Sequence, residues 1–313
     1  MSFSRYTPFI WEHAKLLVSF LSRWSADVYL VTGVTGLVGA AVADAFRARD
    51  EVIGVSRRSV MAAGYTVLQC DIRDAIPDLP DAVGATVVHC AAEIRSASWD
   101  DHWRGNVQAT KNVLDWAVRH KARRVIFISS GAVYGSSGKL ACETDEVGPS
   151  GNYAQSKHLA EQLCRSYAEL FSLPTVIHRL YFPYDVGQQT GLFGFLYNAV
   201  QTGGTVRVNV QGSPAMSITA LQDVVSAIEV SADSRFPVGT YNLCGDEILS
   251  VEEIYQHFVI ALRKHAVVVN NDTFVPGIIA SNAKLKRAGW QPQMTFAAYV
   301  EKLAAAAGAQ EIR

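Results

Sequence analysis

The chain has 313 residues, 49% of them hydrophobic, and its 28 basic and 29 acidic side chains leave a net charge of −1. A hydrophobic content this high excludes a disordered chain, and a near-neutral charge excludes a global field that would draw the protein to nucleic acid or to an anionic membrane. The five cysteines are widely spaced and include no CxxC pair, which excludes a disulfide framework and a zinc site and predicts reduced thiols in the cytoplasm.

The first 27 residues precede the regular pattern and are predicted to form a helical extension. Thr7-Pro8 indicates a helix start, and the apolar side chains that follow at helical spacing are Ile10, Ala14, Leu17, Val18, Leu21 and Trp24. We expect this helix to pack on the body of the protein or on a partner subunit rather than on a membrane, because its polar face is not strongly basic. No stretch approaches the roughly 20 apolar residues of a membrane span.

From Val28 onward the sequence alternates between strand and helix patterns. Strands are predicted at 28–32, 51–56, 66–69, 86–90, 124–129 and 174–179. This alternation is typical of the α/β class with a parallel, doubly wound Rossmann sheet. We predict an N-terminal dinucleotide-binding domain and a smaller C-terminal substrate lobe, which faces the carboxyl ends of the strands, where ligands bind. The predicted domain covers 28–180, with 215–244 returning to it, and the predicted lobe is made of 181–214 and 245–313.

A turn with three glycines joins the first strand to a helix. Gly33 permits the tight turn, Gly36 lets a pyrophosphate approach the backbone, and Gly39 lets the helix pack closely on the strand. The phosphates then lie at the helix N-terminus, where free N–H groups and the helix dipole favour an anion. The turn residues predicted to contact a dinucleotide are Gly33, Thr35, Gly36, Leu37, Val38 and Gly39.

The end of the second strand indicates which dinucleotide is bound. An NAD binder usually carries an acid there for the ribose 2′-hydroxyl, whereas this chain has Ser56, Arg57 and Arg58. A serine and a guanidinium suit a 2′-phosphate, so the sequence favours NADP(H) over NAD(H). The alternative is a surface arginine pair. Asp71 and Ile72, after the third strand, are expected at the adenine.

A tyrosine and a lysine four residues apart form the candidate catalytic group. Tyr153 and Lys157 share one helix face, and a nearby ammonium is expected to lower the pKa of the phenol from about 10 towards neutrality. Ser130, at the end of the fifth strand, is expected to hydrogen-bond the same substrate oxygen. The arrangement predicts acid–base chemistry at a carbonyl or alcohol carbon.

Together these residues resemble the extended short-chain dehydrogenase/reductase family, relatives of nucleotide-sugar epimerases and dehydratases. The resemblance covers residues 28–313 and is carried by TGVTGLVG at 32–39, CDIRD at 70–74, HCAA at 89–92, SSGAVYG at 129–135 and YAQSK at 153–157. It implies that Tyr153 relays a proton, that Lys157 holds the nicotinamide ribose and that Ser130 polarises the carbonyl. The residues it implies beside the nicotinamide and its ribose are Cys90, Ala91, Ala92 and Leu180.

Departures from the family pattern concern the substrate side. Phe182 replaces an asparagine that helps to hold a sugar nucleotide in such relatives, and Met216 replaces an arginine that contacts the diphosphate. A buried diphosphate needs polar partners, so a less charged substrate is favoured. Dehydratase members carry an acid pair where this chain has Gly131 and Ala132, so 4,6-dehydration is not expected.

The residues predicted to contact the substrate are Glu93, Ser130, Gly131, Tyr181 and Phe182. Glu93 is the one acid placed near the substrate, and a role as a solvent-exposed loop residue is an equal alternative. No metal ligands are predicted.

The sequence therefore favours an NADP(H)-dependent oxidoreductase acting on a small molecule. Two alternatives stay open: an epimerase/dehydratase-like isomerase that retains NAD(P), and a non-enzymatic NADP-binding protein.

A homodimer is predicted through two long helices, at about 106–120 and 154–171. The apolar residues on which this prediction rests are Val107, Leu114, Trp116, Leu159, Leu163 and Tyr167.

Overall fold

A computed structural model describes residues 27–60, 64–185, 191–208, 214–270 and 276–311. The predicted N-terminal helix lies outside these residues. In chain order the strands are β1 (Val28–Thr32), β2 (Glu51–Ser56), β3 (Thr66–Gln69), β4 (Thr86–His89), β5 (Arg124–Ser130), β6 (Leu140–Ala141), β7 (Thr175–Leu180), β8 (Pro183–Tyr184), β9 (Thr205–Val208), β10 (Ala215–Ser217), β11 (Thr219–Ala220), β12 (Gly239–Leu243), β13 (Ile248–Ser250), β14 (Val267–Asn270) and β15 (Ile279–Ala280).

The helices alternate with the strands through the first half of the chain. They are α1 (Leu37–Phe46), α2 (Trp99–His102), α3 (Ala109–Arg119), α4 (Gly151–Phe171), α5 (Gly191–Thr202), α6 (Leu221–Ala232), α7 (Val251–Leu262), α8 (Ala283–Arg287) and α9 (Phe296–Glu311). A π-helical segment, Trp103–Gln108, joins α2 to α3, and short 3-10 turns lie at Pro80–Ala82 and Gly131–Tyr134.

A seven-stranded, wholly parallel sheet forms the centre of the molecule, in the order β12-β7-β5-β4-β1-β2-β3. The predicted α/β Rossmann sheet is confirmed. All six predicted strands are present, with shifts of one residue at a few ends. β12 adds a seventh strand, because the chain returns to the sheet beside β7 after the first part of the small lobe.

Two apolar layers cover the sheet, one on each face. Val31 and its neighbours pack against α1 and α6, whereas Leu30 and its neighbours pack against α3 and α4. Successive strand residues point to opposite faces, which explains why these strands read as continuous apolar runs. The sheet is thereby held rigid, and its carboxyl ends carry the loops of the candidate site.

A further apolar core is built by α5, α7 and α9 of the predicted substrate lobe and also includes Met216, Ile218 and Ala220. Two short two-stranded sheets accompany it, β9 with β14 in parallel and β10 with β13 in antiparallel. Met216 is 4% exposed and belongs to this core. Its position therefore supplies packing rather than a contact to a charged group.

Three of the residues on which the dimer prediction rests do not lie on the surface. Val107, Leu114 and Trp116 are buried within the chain, and the last two lie in the core between the sheet and α4. They are apolar because the monomer buries them, and so they offer no surface to a partner. The homodimer stays a prediction. Among the described residues, no helix has the length and apolar character needed to cross a bilayer.

Candidate active site

The glycine turn after β1 is shaped by close backbone approaches. Gly33 has φ +75°, and a Cβ there would lie 2.8 Å from the backbone of Ala91. A Cβ on Gly39 would lie 2.3 Å from the Gly33 carbonyl oxygen. α1 begins after Gly36 with no side-chain cap, which leaves the first N–H groups of the helix available to an anion.

One cavity of about 1060 Å³ runs from this turn, past the catalytic candidates, to the small lobe. The predicted cofactor residues that line it are Gly33, Thr35, Gly36, Leu37, Val38, Gly39, Ser56, Arg57, Asp71, Ile72, Cys90, Ala91, Ala92, Tyr153, Lys157 and Leu180. Arg58 is exposed and is not among the lining residues. Lining residues that sequence reasoning missed include Arg73, Arg95, Asp101, Leu192, Phe193 and Ile278.

At the end of β2, Arg57 lines the cavity, and its guanidinium makes no hydrogen bond or ion pair with the residues that the structure describes. Ser56 is buried, and its Oγ accepts a hydrogen bond from the Arg58 N–H at 3.0 Å, whereas the Arg57 side chain is exposed beside it. Asp71 is engaged by the Arg73 guanidinium, with a 2.9 Å bond from Nε. This hydrogen bond is the main cause that holds the pKa of the Asp71 carboxyl below its ordinary value, against burial. The acid at this end of the cavity is therefore already paired.

Ser130, Tyr153 and Lys157 meet at the middle of the cavity. β5 ends at Ser130 and α4 carries the other two, so the sheet and one helix fix all three. The Ser130 hydroxyl hydrogen-bonds the Tyr153 phenol. The Lys157 ammonium is 2% exposed, donates to the Ile128 carbonyl at 2.5 Å and lies 4.1 Å from the centre of the Phe127 ring.

The pKa of the Tyr153 phenol differs from the expectation that Lys157 lowers it. Burial raises the pKa of Tyr153 above its ordinary value, and the Ser130 hydrogen bond acts against that shift. Burial also lowers the pKa of Lys157 to about 8, opposed by Cys164, Glu161 and Cys90. The predicted lowering of the phenol's pKa by Lys157 is therefore wrong for the protein alone, because the buried ammonium is turned to a backbone carbonyl.

A buried carboxylate behind the catalytic group was not found from the sequence. Glu161, one turn after Lys157, accepts hydrogen bonds from Ser129 Oγ at 2.7 Å and from Arg179 Nη2 at 2.8 Å. Glu161 and Arg179 are both buried. Through these bonds Glu161 joins α4 to the end of β7 at Arg179 and to the end of β5 at Ser129, and so ties together the two elements that carry the candidate catalytic residues.

The predicted substrate residues all line the same cavity. The Tyr181 ring packs directly on Gly131, where an added Cβ would lie 2.3 Å from a ring carbon. An acid of the dehydratase type at position 131 therefore has no room. Phe182 has φ +27°, a backbone conformation that is strained for a phenylalanine.

Glu93 also lines the cavity, but its carboxylate is used within its own loop. Its Oε1 accepts hydrogen bonds from the N–H groups of Arg95 and Ser96, at 3.0 and 3.1 Å. These bonds, the first of them most, hold the pKa of Glu93 below its ordinary value. An ionised carboxylate that is already occupied is a poor proton donor.

Two buried histidines carry no acid–base function. His89 contacts Thr32 Oγ1 at 2.7 Å and Thr110 Oγ1 at 3.0 Å, and His178 contacts Ser231 Oγ at 2.8 Å. Burial lowers the pKa of each to about 3. Both are buried core residues that are neutral at pH 7.

Comparison with known proteins identifies the family of the chain. The model of the NAD dependent epimerase/dehydratase family matches residues 29–244. The chain belongs to this family. The glycine turn and the open N-terminus of α1 fit the pyrophosphate of a nicotinamide dinucleotide, and Lys157 lines the same cavity.

Individual members of the family are distant in sequence. The uncharacterized UDP-glucose epimerase YtcB of Bacillus subtilis is 27% identical over 176 residues, which are 54% of this chain and 55% of that protein. MoeE5, solved with UDP-glucuronic acid and NAD, superposes with a TM-score of 0.81 at 22% identity, covering 91% of this chain and 100% of its own. The UDP-glucuronic acid 4-epimerase of Bacillus cereus, solved with the same two ligands, gives 0.79 at 20% identity, with coverages of 90% and 99%. These superpositions show the fold.

Proposed function

We propose that the protein is a nicotinamide-dependent epimerase of the nucleotide-sugar type. It oxidises a hydroxyl-bearing carbon of its substrate and reduces the resulting carbonyl from the opposite face. The observation that carries the proposal is the position of Ser130, Tyr153 and Lys157 in one cavity, between the glycine turn and the small lobe. The family of the chain, and relatives named as UDP-sugar epimerases, support the same chemistry.

A nicotinamide bound in this cavity would supply a hydride acceptor and, in the return step, a hydride donor. Tyr153 takes the proton of the substrate hydroxyl as the hydride leaves its carbon, and returns a proton when the hydride comes back. The substrate loses and regains two electrons, so no second oxidant or reductant is consumed. Ser130 donates a hydrogen bond to the oxygen that becomes a carbonyl, and the Lys157 ammonium, once it contacts the ribose, favours the ionised phenol.

A second candidate is an NADP(H)-dependent oxidoreductase with net redox turnover. It is favoured by the exposed Arg57 beside the buried Ser56, which suits the 2′-phosphate of NADP(H). The apolar Phe182 and the buried Met216, where relatives hold a sugar nucleotide with polar groups, favour it as well.

Turnover without added cofactor separates the two candidates. The purified protein is incubated with UDP-glucose or UDP-glucuronic acid, and the 4-epimers are measured by NMR. The epimerase gives an equilibrium mixture of epimers with no net change in reduced nicotinamide. No epimer from these or other nucleotide sugars, together with consumption of added NADPH by a ketone, would replace the first candidate by the second.

A further inference from the structure

The loop that follows β4, residues 93–98, is folded by its own hydrogen bonds. The Glu93 N–H donates to Asn106 Oδ1 at 2.7 Å, and Asn106 Nδ2 donates back to the Glu93 carbonyl at 2.9 Å. The Glu93 carboxylate closes the next turn on the N–H groups of Arg95 and Ser96. The loop thus has a defined shape without a ligand.

The same loop is fastened to the start of the catalytic helix. Asn152, the residue before Tyr153, donates from Nδ2 to the Ala97 carbonyl at 2.9 Å. Asn106 Nδ2 also donates to Ser156 Oγ at 2.8 Å. The position of the loop relative to the Tyr153 phenol is therefore set by side chains on both sides of it.

The fixed loop presents Arg95 to the cavity. Its side chain is exposed and lines the cavity together with Ile94. Among the residues that the structure describes, no hydrogen bond or ion pair engages its guanidinium, although its backbone N–H is bound by Glu93. An unpaired guanidinium in a cavity keeps its planar set of donors for an anion.

The other cations along the cavity have different positions or partners. Arg57 lies at the end of β2, Arg73 is paired with Asp71, and Lys157 donates to Ile128. The described lobe residues that line the cavity carry no charge: Tyr181, Phe182, Pro183, Gly191, Leu192, Phe193 and Ile278. The stretches 186–190, 209–213 and 271–275 contain no lysine or arginine. Among the described residues that line the cavity, Arg95 is thus the cation that lies near the catalytic group and is not paired with another side chain or a carbonyl.

We propose that Arg95 binds an anionic group of the substrate, a phosphate or a carboxylate, and thereby sets substrate specificity. The inference rests on the proposed function and names the class of its substrate: a sugar derivative with an anion on the loop side and a body that contacts the apolar small lobe. A guanidinium can bind either anion through two parallel N–H···O bonds. In a nucleotide sugar the anion is the diphosphate, and in a uronic acid derivative it is also the sugar carboxylate.

Calorimetry on the protein with its cofactor bound tests this assignment. The probes are UDP, UDP-glucose and UDP-glucuronic acid, and the variants are Arg95→Ala and Arg95→Lys. The matched control is Arg104→Ala, which removes an exposed arginine of the following helix that pairs with Asp74 at 3.6 Å and does not line the cavity. Cofactor content and the KM and kcat of any turnover are measured on the same samples.

We expect Arg95→Ala to weaken binding of the anionic probes by about 10- to 100-fold, the range for a lost charge-assisted contact. The affinity of Arg95→Lys for these probes should lie between those of the native protein and Arg95→Ala. Lysine keeps the positive charge but loses the planar guanidinium that can form two parallel hydrogen bonds. KM should rise more than kcat falls, while cofactor content and the Arg104→Ala variant stay at the native level. A loss shared by all three probes identifies the diphosphate, and a loss confined to UDP-glucuronic acid identifies the carboxylate.

Three results would overturn the proposal: native affinity of Arg95→Ala for every probe, loss of cofactor from that variant, or no binding of any probe by the native protein. The same measurements test the proposed epimerase function and the proposed role of Arg95 separately. If Arg95→Ala epimerises as fast as the native protein, the role of Arg95 is wrong and the epimerase function stands. If the probes bind through Arg95 but no epimer forms, the role of Arg95 stands and the epimerase function is wrong.

Discussion

The buried Glu161 carboxylate provides the sharpest prediction about stability. It accepts four hydrogen bonds, two from Arg179 at 2.8 and 3.0 Å, one from Ser129 at 2.7 Å and one from Arg165 at 2.8 Å. Burial raises its pKa, but the hydrogen bonds and charge of Arg179, the hydrogen bond from Ser129 and the charge of Arg165 bring the net pKa below the ordinary value. The carboxylate is therefore ionised at neutral pH.

Glu161→Ala leaves the buried Arg179 charge without a counter-charge. Breaking a buried pair from one side costs about 3–5 kcal/mol, a large part of the 5–15 kcal/mol by which a typical domain is stable. Glu161→Gln keeps the volume and one acceptor oxygen, so only part of that loss is expected. Arg165→Ala is the matched control, because Arg165 contacts the same carboxylate from a half-exposed position and such pairs contribute about 1 kcal/mol or less.

Urea unfolding of the three variants and the native protein at neutral pH measures these free energies. The reasoning predicts the order native, Arg165→Ala, Glu161→Gln, Glu161→Ala from most to least stable. A loss below about 1 kcal/mol in Glu161→Ala would refute it, as would a loss in Arg165→Ala that equals the loss in Glu161→Ala. Because the native-state pKa of Glu161 is lowered, its contribution is complete above about pH 4.3 and is lost as the pH falls through the native-state pKa.

Further predictions concern the site. Tyr153→Phe removes only a hydroxyl, so it should lower turnover by about two to four orders of magnitude with cofactor content unchanged; near-native turnover would assign the proton to another group. Because burial lowers the pKa of Lys157 to about 8, turnover should fall as the pH rises through that value and the ammonium is lost, and a flat profile there would contradict this. Arg57→Ala should weaken NADP(H) binding by roughly 1.5–3 kcal/mol and leave NAD(H) binding unchanged in calorimetry; equal affinities of the native protein for both would exclude 2′-phosphate recognition. Gly131→Ala should cost about 1–3 kcal/mol of stability, because its Cβ would meet the Tyr181 ring, and unchanged thermal unfolding would show that the ring moves freely.

The sheet and the cofactor turn could be predicted because their signals are local. A strand buried on both faces, such as β5, is a continuous apolar run. The glycine turn is marked by the short spacing of its glycines between a strand and a helix. The contact that requires Gly39 lies within the turn, at the Gly33 carbonyl, whereas the backbone that Gly33 approaches is the distant Ala91.

The structural roles that the sequence does not predict depend on partners that are far away in sequence. Glu161 looks like any polar residue of a helix, and only the arrival of Arg179 on β7 makes it a buried counter-charge. Arg95 has no motif around it, and its loop is held by Asn106 and Asn152 from other elements. Trp116 could be recognised as apolar, but whether it covers a subunit contact or the sheet is decided by tertiary packing.

The most direct test of the central claim is the nicotinamide released from the denatured protein after purification without added cofactor. An epimerase that returns its hydride needs no exchange, so the account predicts a stoichiometric nicotinamide dinucleotide that persists through dialysis of the native protein. Its identity by mass spectrometry also shows whether the dinucleotide carries the 2′-phosphate that Arg57 is proposed to bind. A protein that carries no nicotinamide, or that exchanges it freely with added NADP(H) while epimerising no nucleotide sugar, would contradict the account.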